Sequence, residues 1–149
     1  MRIVDFIRIN VLGLRWGMDP QNNNNTANAT TIYRPSAILT NSYVAGPTID
    51  TWNYNQLVIY WGSTLGSLTS NDLKVEFSAD GTTWYQETFE SVAAGVATSS
   101  AANHTTTAAT PNLRLAIPIT DRYVRISVHG TGTVTSSLAQ LDVMLGINP

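Results

Sequence analysis

Cysteine is absent from this chain of 149 residues, and lysine occurs once, at Lys74. Without cysteine there is no disulfide framework, so stability has to come from packing or from assembly with other chains. Only 12% of the residues are charged, the formal net charge is -2 and the pI is about 5.5. The positive field that would neutralise several phosphates is missing, which argues against nucleic acid as a partner. The seven arginines (Arg2, Arg8, Arg15, Arg34, Arg114, Arg122, Arg125) are scattered singly, and no aromatic residues interleave with them as a base-stacking groove requires. No stretch approaches the roughly 18 apolar residues of a membrane span, so no membrane partner is expected. The apolar segment from Met1 to Trp16 is broken by Asp5 and Arg8 and precedes no small-residue cleavage site, so it is not expected to act as a secretion signal.

Catalytic signals are equally sparse. His104 and His129 are the two histidines, and no G-x-S-x-G elbow supplies a nucleophile beside either. Asp72, Asp80, Asp121 and Asp142 stand singly, at spacings that match no metal-binding loop. The expectation is a protein without catalytic residues, metal or cofactor, and therefore not an enzyme. Asn24, Asn28 and Asn103 open Asn-x-Thr triplets, which chance explains in a chain so rich in Asn and Thr.

What the chain does contain is alternation. Leu73, Val75 and Phe77 alternate with Lys74, Glu76 and Ser78, then Asp80-Gly81 supplies a turn before Trp84. Val124, Ile126 and Val128 alternate with Arg125, Ser127 and His129, and Leu141, Val143 and Leu145 repeat the pattern. Strands are expected at 37–40, 48–51, 56–61, 73–78, 83–89, 112–119, 122–129 and 138–145. Gln56 to Trp61 is apolar on both faces and should be central, whereas Pro118 marks an edge or a strand end because it has no N–H to donate. The fold class is all-β, an antiparallel sandwich or jelly roll of about eight or nine strands with an apolar N-terminal arm. Residues 1–31 form that arm and an Asn-rich linker, and residues 32–149 form the sandwich domain.

Residues 93–111 (AAGVATSSAANHTTTAATP) have small or hydroxyl side chains at nearly every position and read as a long loop. Loops of that length are usually functional or ordered by a partner, which makes Ala97 and His104 candidate contacts with another chain. Along the arm, Ile3, Phe6, Ile7, Ile9, Val11, Leu12, Leu14 and Trp16 are the candidate interface. Burying each such side chain contributes about 1.5–3 kcal/mol before ordering costs. Trp84 and Trp52 could serve as a ligand platform, although core packing is the default for Trp84. Tyr60 and Trp61, being adjacent on a strand, point to opposite faces.

Two resemblances follow from these residues. Ser78 to Trp84 (S-x-D-G-x-x-W) and Arg122 to Ile126 (R-Y-V-R-I) resemble later strands of discoidin-type jelly rolls, which implies a jelly roll but transfers no binding loop, since that family's framing cysteines are absent. The whole chain, lysine-poor, cysteine-free and rich in Thr, Ser, Asn and Gly, with its apolar arm, resembles small accessory virion proteins of tailed bacteriophages. That resemblance implies a capsid decoration or cement protein on the outer shell of the virion, with the major capsid protein and copies of itself as partners and a homotrimer as the favoured assembly. The acidic pI suits the outer face, away from packaged DNA. The alternatives are a carbohydrate-binding module of a tail fibre or baseplate, and another tail or head-completion protein.

Overall fold

Leu57, Ile59 and Trp61 alternate with Val58 and Tyr60 along one strand, and this strand sits in the middle of its sheet. A computed structural model describes residues 30–147 of the protein. The candidate interface of the arm, from Ile3 to Trp16, lies outside the described residues. Within them the chain forms β1 (Thr31–Ala37), β2 (Val44–Ala45), β3 (Ile49–Asp50), β4 (Gln56–Thr64), β5 (Leu68–Ser78), β6 (Tyr85–Gln86), β7 (Thr88–Ala93), β8 (Val96–Ala101), β9 (His104–Thr106), β10 (Asn112–Pro118), β11 (Tyr123–Gly132) and β12 (Leu138–Gly146). No helix occurs among the described residues, and the all-β expectation holds.

One sheet has the order β1-β12-β4-β10, entirely antiparallel. The other is built on the central pair β11 and β5, with β2 and β3 sharing the free edge of β11 and β6 and β9 sharing that of β5. Counting each split edge as one strand, the chain steps back and forth between two four-stranded sheets, which is the arrangement of a jelly roll. Among the described residues β10 pairs only with β4, so Pro118 ends an edge strand of the described sheet.

The inward residues of the two sheets make one core. Leu57, Ile59 and Trp61 from β4 and Leu141 and Val143 from β12 meet Leu73, Val75 and Phe77 from β5 and Val124, Ile126 and Val128 from β11. Tyr33 on β1 ties the sheets together. Its hydroxyl donates to the Pro47 carbonyl at 2.6 Å and accepts the Ile126 N–H at 2.9 Å, in the gap between β2 and β3. A Cβ on Gly46 would lie 2.4 Å from the Tyr33 ring, so only glycine leaves the ring its place. Burial pushes the Tyr33 hydroxyl up to about 12.

Two expectations are corrected here. The strand expected at 37–40 ends at Ala37 and instead begins at Thr31, because the last linker residue, Thr31, and the neighbouring Ile32, both exposed, pair with Val143 and Asp142 on β12. The long loop expected at 93–111 is largely sheet: β8 and β9 lie inside it. Ladder hydrogen bonds are made by the backbone, so a stretch of small polar residues still pairs, despite its lower strand propensity, when a turn sets its register.

Candidate functional site

Among the described residues β7 and β8 pair only with each other, from Thr88↔Ala101 to Ala93↔Val96. The turn between them is Ala94-Gly95, with φ values of 52° and 78°. Positive φ at both central positions is the two-residue turn whose twist matches a hairpin. Every residue of β7 is exposed, and so is β8 apart from half-buried Ser100. Phe89, Val92 and Val96 are 54%, 71% and 64% exposed. An isolated two-stranded hairpin is marginally stable in water, and this one offers apolar side chains on both faces and two unpaired edges.

The hairpin leaves the sandwich through a defined root. β6 runs antiparallel to β5 with Tyr85 opposite Phe77 and Gln86 opposite Glu76, and the Glu87 N–H donates to the Val75 carbonyl at 2.8 Å. β9 then resumes the same edge, with His104 opposite Leu73. Only the place opposite Lys74 lies between Glu87 and His104, so the hairpin is an excursion from a single edge strand. Its base is closed by Ala102 N–H to the Glu87 carbonyl at 2.7 Å, by Gln86 Nε2 to the Ala102 carbonyl at 2.8 Å, and by His104 Nε2 to Glu87 Oε2 at 3.1 Å.

The candidate contact residues separate accordingly. Ala97 lies on exposed β8, opposite Val92, whereas His104 is half-buried at the root. Sequence reasoning places the hairpin residues Phe89 and Val92 in or beside a strand running from 83 to 89, where nothing marks them as exposed; the Ala94-Gly95 turn is the available signal.

The two tryptophans of the candidate platform each lie under a different arginine of the β11 region. Trp84 is not the core plug that a lone strand aromatic predicts: it is half-buried on the outer side of the second sheet, beneath Arg125, whose guanidinium carbon stands 4.3 Å from its ring centre. Trp52 is 56% exposed in the turn after β3, with Arg122 at 5.2 Å and Asp50 accepting from Arg122 at 3.1 Å. Thus the two segments that resemble discoidin jelly rolls touch through Trp84 and Arg125. Arg125 Nε also donates to Glu76 Oε2 at 3.0 Å, and Lys74 Nζ donates to Glu76 Oε1 at 3.1 Å. Burial raises the tendency of Glu76 to hold a proton, but these hydrogen bonds outweigh it and keep the carboxyl below its ordinary range.

Asp80 is likewise occupied by its own turn. Its carboxylate accepts the Thr82 and Thr83 N–H groups, both at 2.8 Å, and the Ser78 hydroxyl at 2.9 Å, which holds its carboxyl far below the usual range. His129 lies 3.7 Å from Asp72, and the hydroxyls of Ser70, Thr105 and Thr131 donate to that carboxylate. Among the described residues neither histidine is hydrogen-bonded to a hydroxyl, and no three His, Cys, Asp or Glu side chains gather as a metal site.

No protein-family model matches the chain, and no curated protein does. Among solved structures, the chain is similar to the PBSX exported protein XepA, with a TM-score of 0.52 and 15% identity over 83% of this chain. The match spans 38% of that protein's length. At this identity the likeness is one of fold.

Proposed function

We propose that this chain is a structural protein of a phage particle, decorating the outer surface of the capsid as an oligomer, and that it binds rather than catalyses. The observation that carries the reading is the β7–β8 hairpin, which presents Phe89, Val92 and Val96 to solvent while the sandwich behind it is complete. An exposed apolar hairpin with free edges is suited to packing on a neighbouring copy. Within it Glu90 is the only charged residue, so close approach of copies meets little electrostatic opposition. The acidic pI suits the outer face of a shell. The likeness in fold to XepA, a phage-related protein, agrees with this reading. In the proposed mechanism the hairpin joins copies to one another, while the apolar residues between Ile3 and Trp16 join them to the capsid.

Quantitative mass spectrometry of purified particles, with heads and tails separated, tests the assignment. The expected result is a high copy number confined to heads. A few copies on tails would move the role to the tail, and absence from particles would refute it.

A further inference from the structure

The outer face of the β1-β12-β4-β10 sheet carries a groove of about 610 Å³. That volume falls within the roughly 300–1,000 Å³ of small-ligand sites. Its middle is a cross-strand row in which Tyr60 on β4 lies between Arg114 on β10 and Asp142 on β12. The adjacent row places Gly62 between Asn112 and Gln140. Tyr60 is 36% exposed, and Arg114 is exposed without an ion-pair or hydrogen-bond partner among the described residues. Asp142 stands two strand spacings from Arg114, about 10 Å, so the two charges do not neutralise each other directly. Gln140 Nε2 donates to both Asp142 oxygens, at 3.1 and 3.3 Å, and so fixes the carboxylate in place. Gly62 keeps the floor open: a Cβ there would lie 3.3 Å from Asn112 Oδ1 and project into the groove.

We infer that this groove binds a neutral oligosaccharide, with a sugar ring seated on Tyr60 between Arg114 and Asp142. The aromatic ring offers an apolar face to the C–H side of a pyranose. Arg114 and Asn112 donate to sugar hydroxyls, and Asp142 and Asn112 accept from them, which matches groups that are donor and acceptor at once. One cation and one carboxylate leave the groove without net charge, so it favours neither phosphate nor amine. This ligand site is separate from the hairpin, and its test uses purified protein, so its outcome does not depend on whether the chain is found in particles.

The full chain is applied to an array of neutral hexose and N-acetylhexosamine oligosaccharides that includes sialylated and phosphorylated members. Binding to neutral members is expected, insensitive to salt, and weakened at least about tenfold by Tyr60→Ala. Gly62→Val, which fills the floor while leaving every polar group, is expected to weaken it equally, and Trp84→Ala to leave it unchanged. Thermal melts of each variant separate lost binding from lost folding. Failure to bind any glycan overturns the inference, as does binding only to charged members in a salt-sensitive way, or binding that survives Gly62→Val in a folded protein.

Discussion

The sandwich and the hairpin are both antiparallel β-structure, yet they are stabilised in opposite ways. In the sandwich each inward side chain meets another sheet, and the outward charges on β5 and β11 close on one another through Lys74, Glu76 and Arg125. In the hairpin no second layer among the described residues covers either face, and its root is held by a few polar bonds at Glu87, Ala102 and His104. One region is packed on its inward side by a second sheet, and the other presents apolar surface that the described residues leave uncovered. Stability and assembly should therefore be separable by mutation.

The largest effect is expected in the core. Trp61 is 1% exposed, and Trp61→Ala should cost about 3–5 kcal/mol in urea denaturation. An equal loss of stability from a hairpin substitution would break the distinction between the two regions. Next is the charged ladder. Glu76→Gln should cost about 1.5–3 kcal/mol at pH 7, since hydrogen bonds between charged groups are weakened and Arg125 and Lys74 lose their shared carboxylate. Because the Glu76 pKa lies below its ordinary value, its contribution is fully present above the unfolded value of 4.5 and is lost as pH falls through the lower folded value. Melting curves against pH should therefore converge for Glu76→Gln and the parent protein in acid, and parallel curves would contradict this.

The smallest effect on stability is expected at the hairpin tip. Val92→Ser and Val96→Ser should change the free energy of unfolding by no more than about 0.5 kcal/mol. The same variants should reduce self-association, measured by light scattering across a concentration series.

The contrast also marks what can be read from the sequence. Strands β4, β5, β11 and β12 are legible because each places alternate apolar residues in a core, as Leu73, Val75 and Phe77 do. The short edges β2, β3, β6 and β9 are partly hidden, since two or three residues carry too little alternation to register. Much of the hairpin reads as loop because Ala, Ser and Thr give no hydrophobic period, and its turn, Ala94-Gly95, lacks the Asn or Asp that usually announces positive φ. Trp84 reads as inward because an isolated aromatic usually packs there; its partner Arg125 is 41 positions away and becomes visible only when β5, β6 and β11 come together. The groove is hidden for a related reason. Arg114, Tyr60 and Asp142 lie on three strands, and only their register places them in one row.

The register at the hairpin root supplies the most direct test. With Glu87 opposite Val75 and His104 opposite Leu73, deleting residues 88–102 leaves Asn103 to stand opposite Lys74 and joins β6 to β9 as one uninterrupted edge strand. Sedimentation equilibrium of the full chain and of this deletion variant, each with its thermal melt, measures what the hairpin does. The full chain is expected to be an oligomer and the variant a monomer, with nearly the same melting temperature. A variant that remains oligomeric, or one that loses the sandwich fold along with the hairpin, would contradict this.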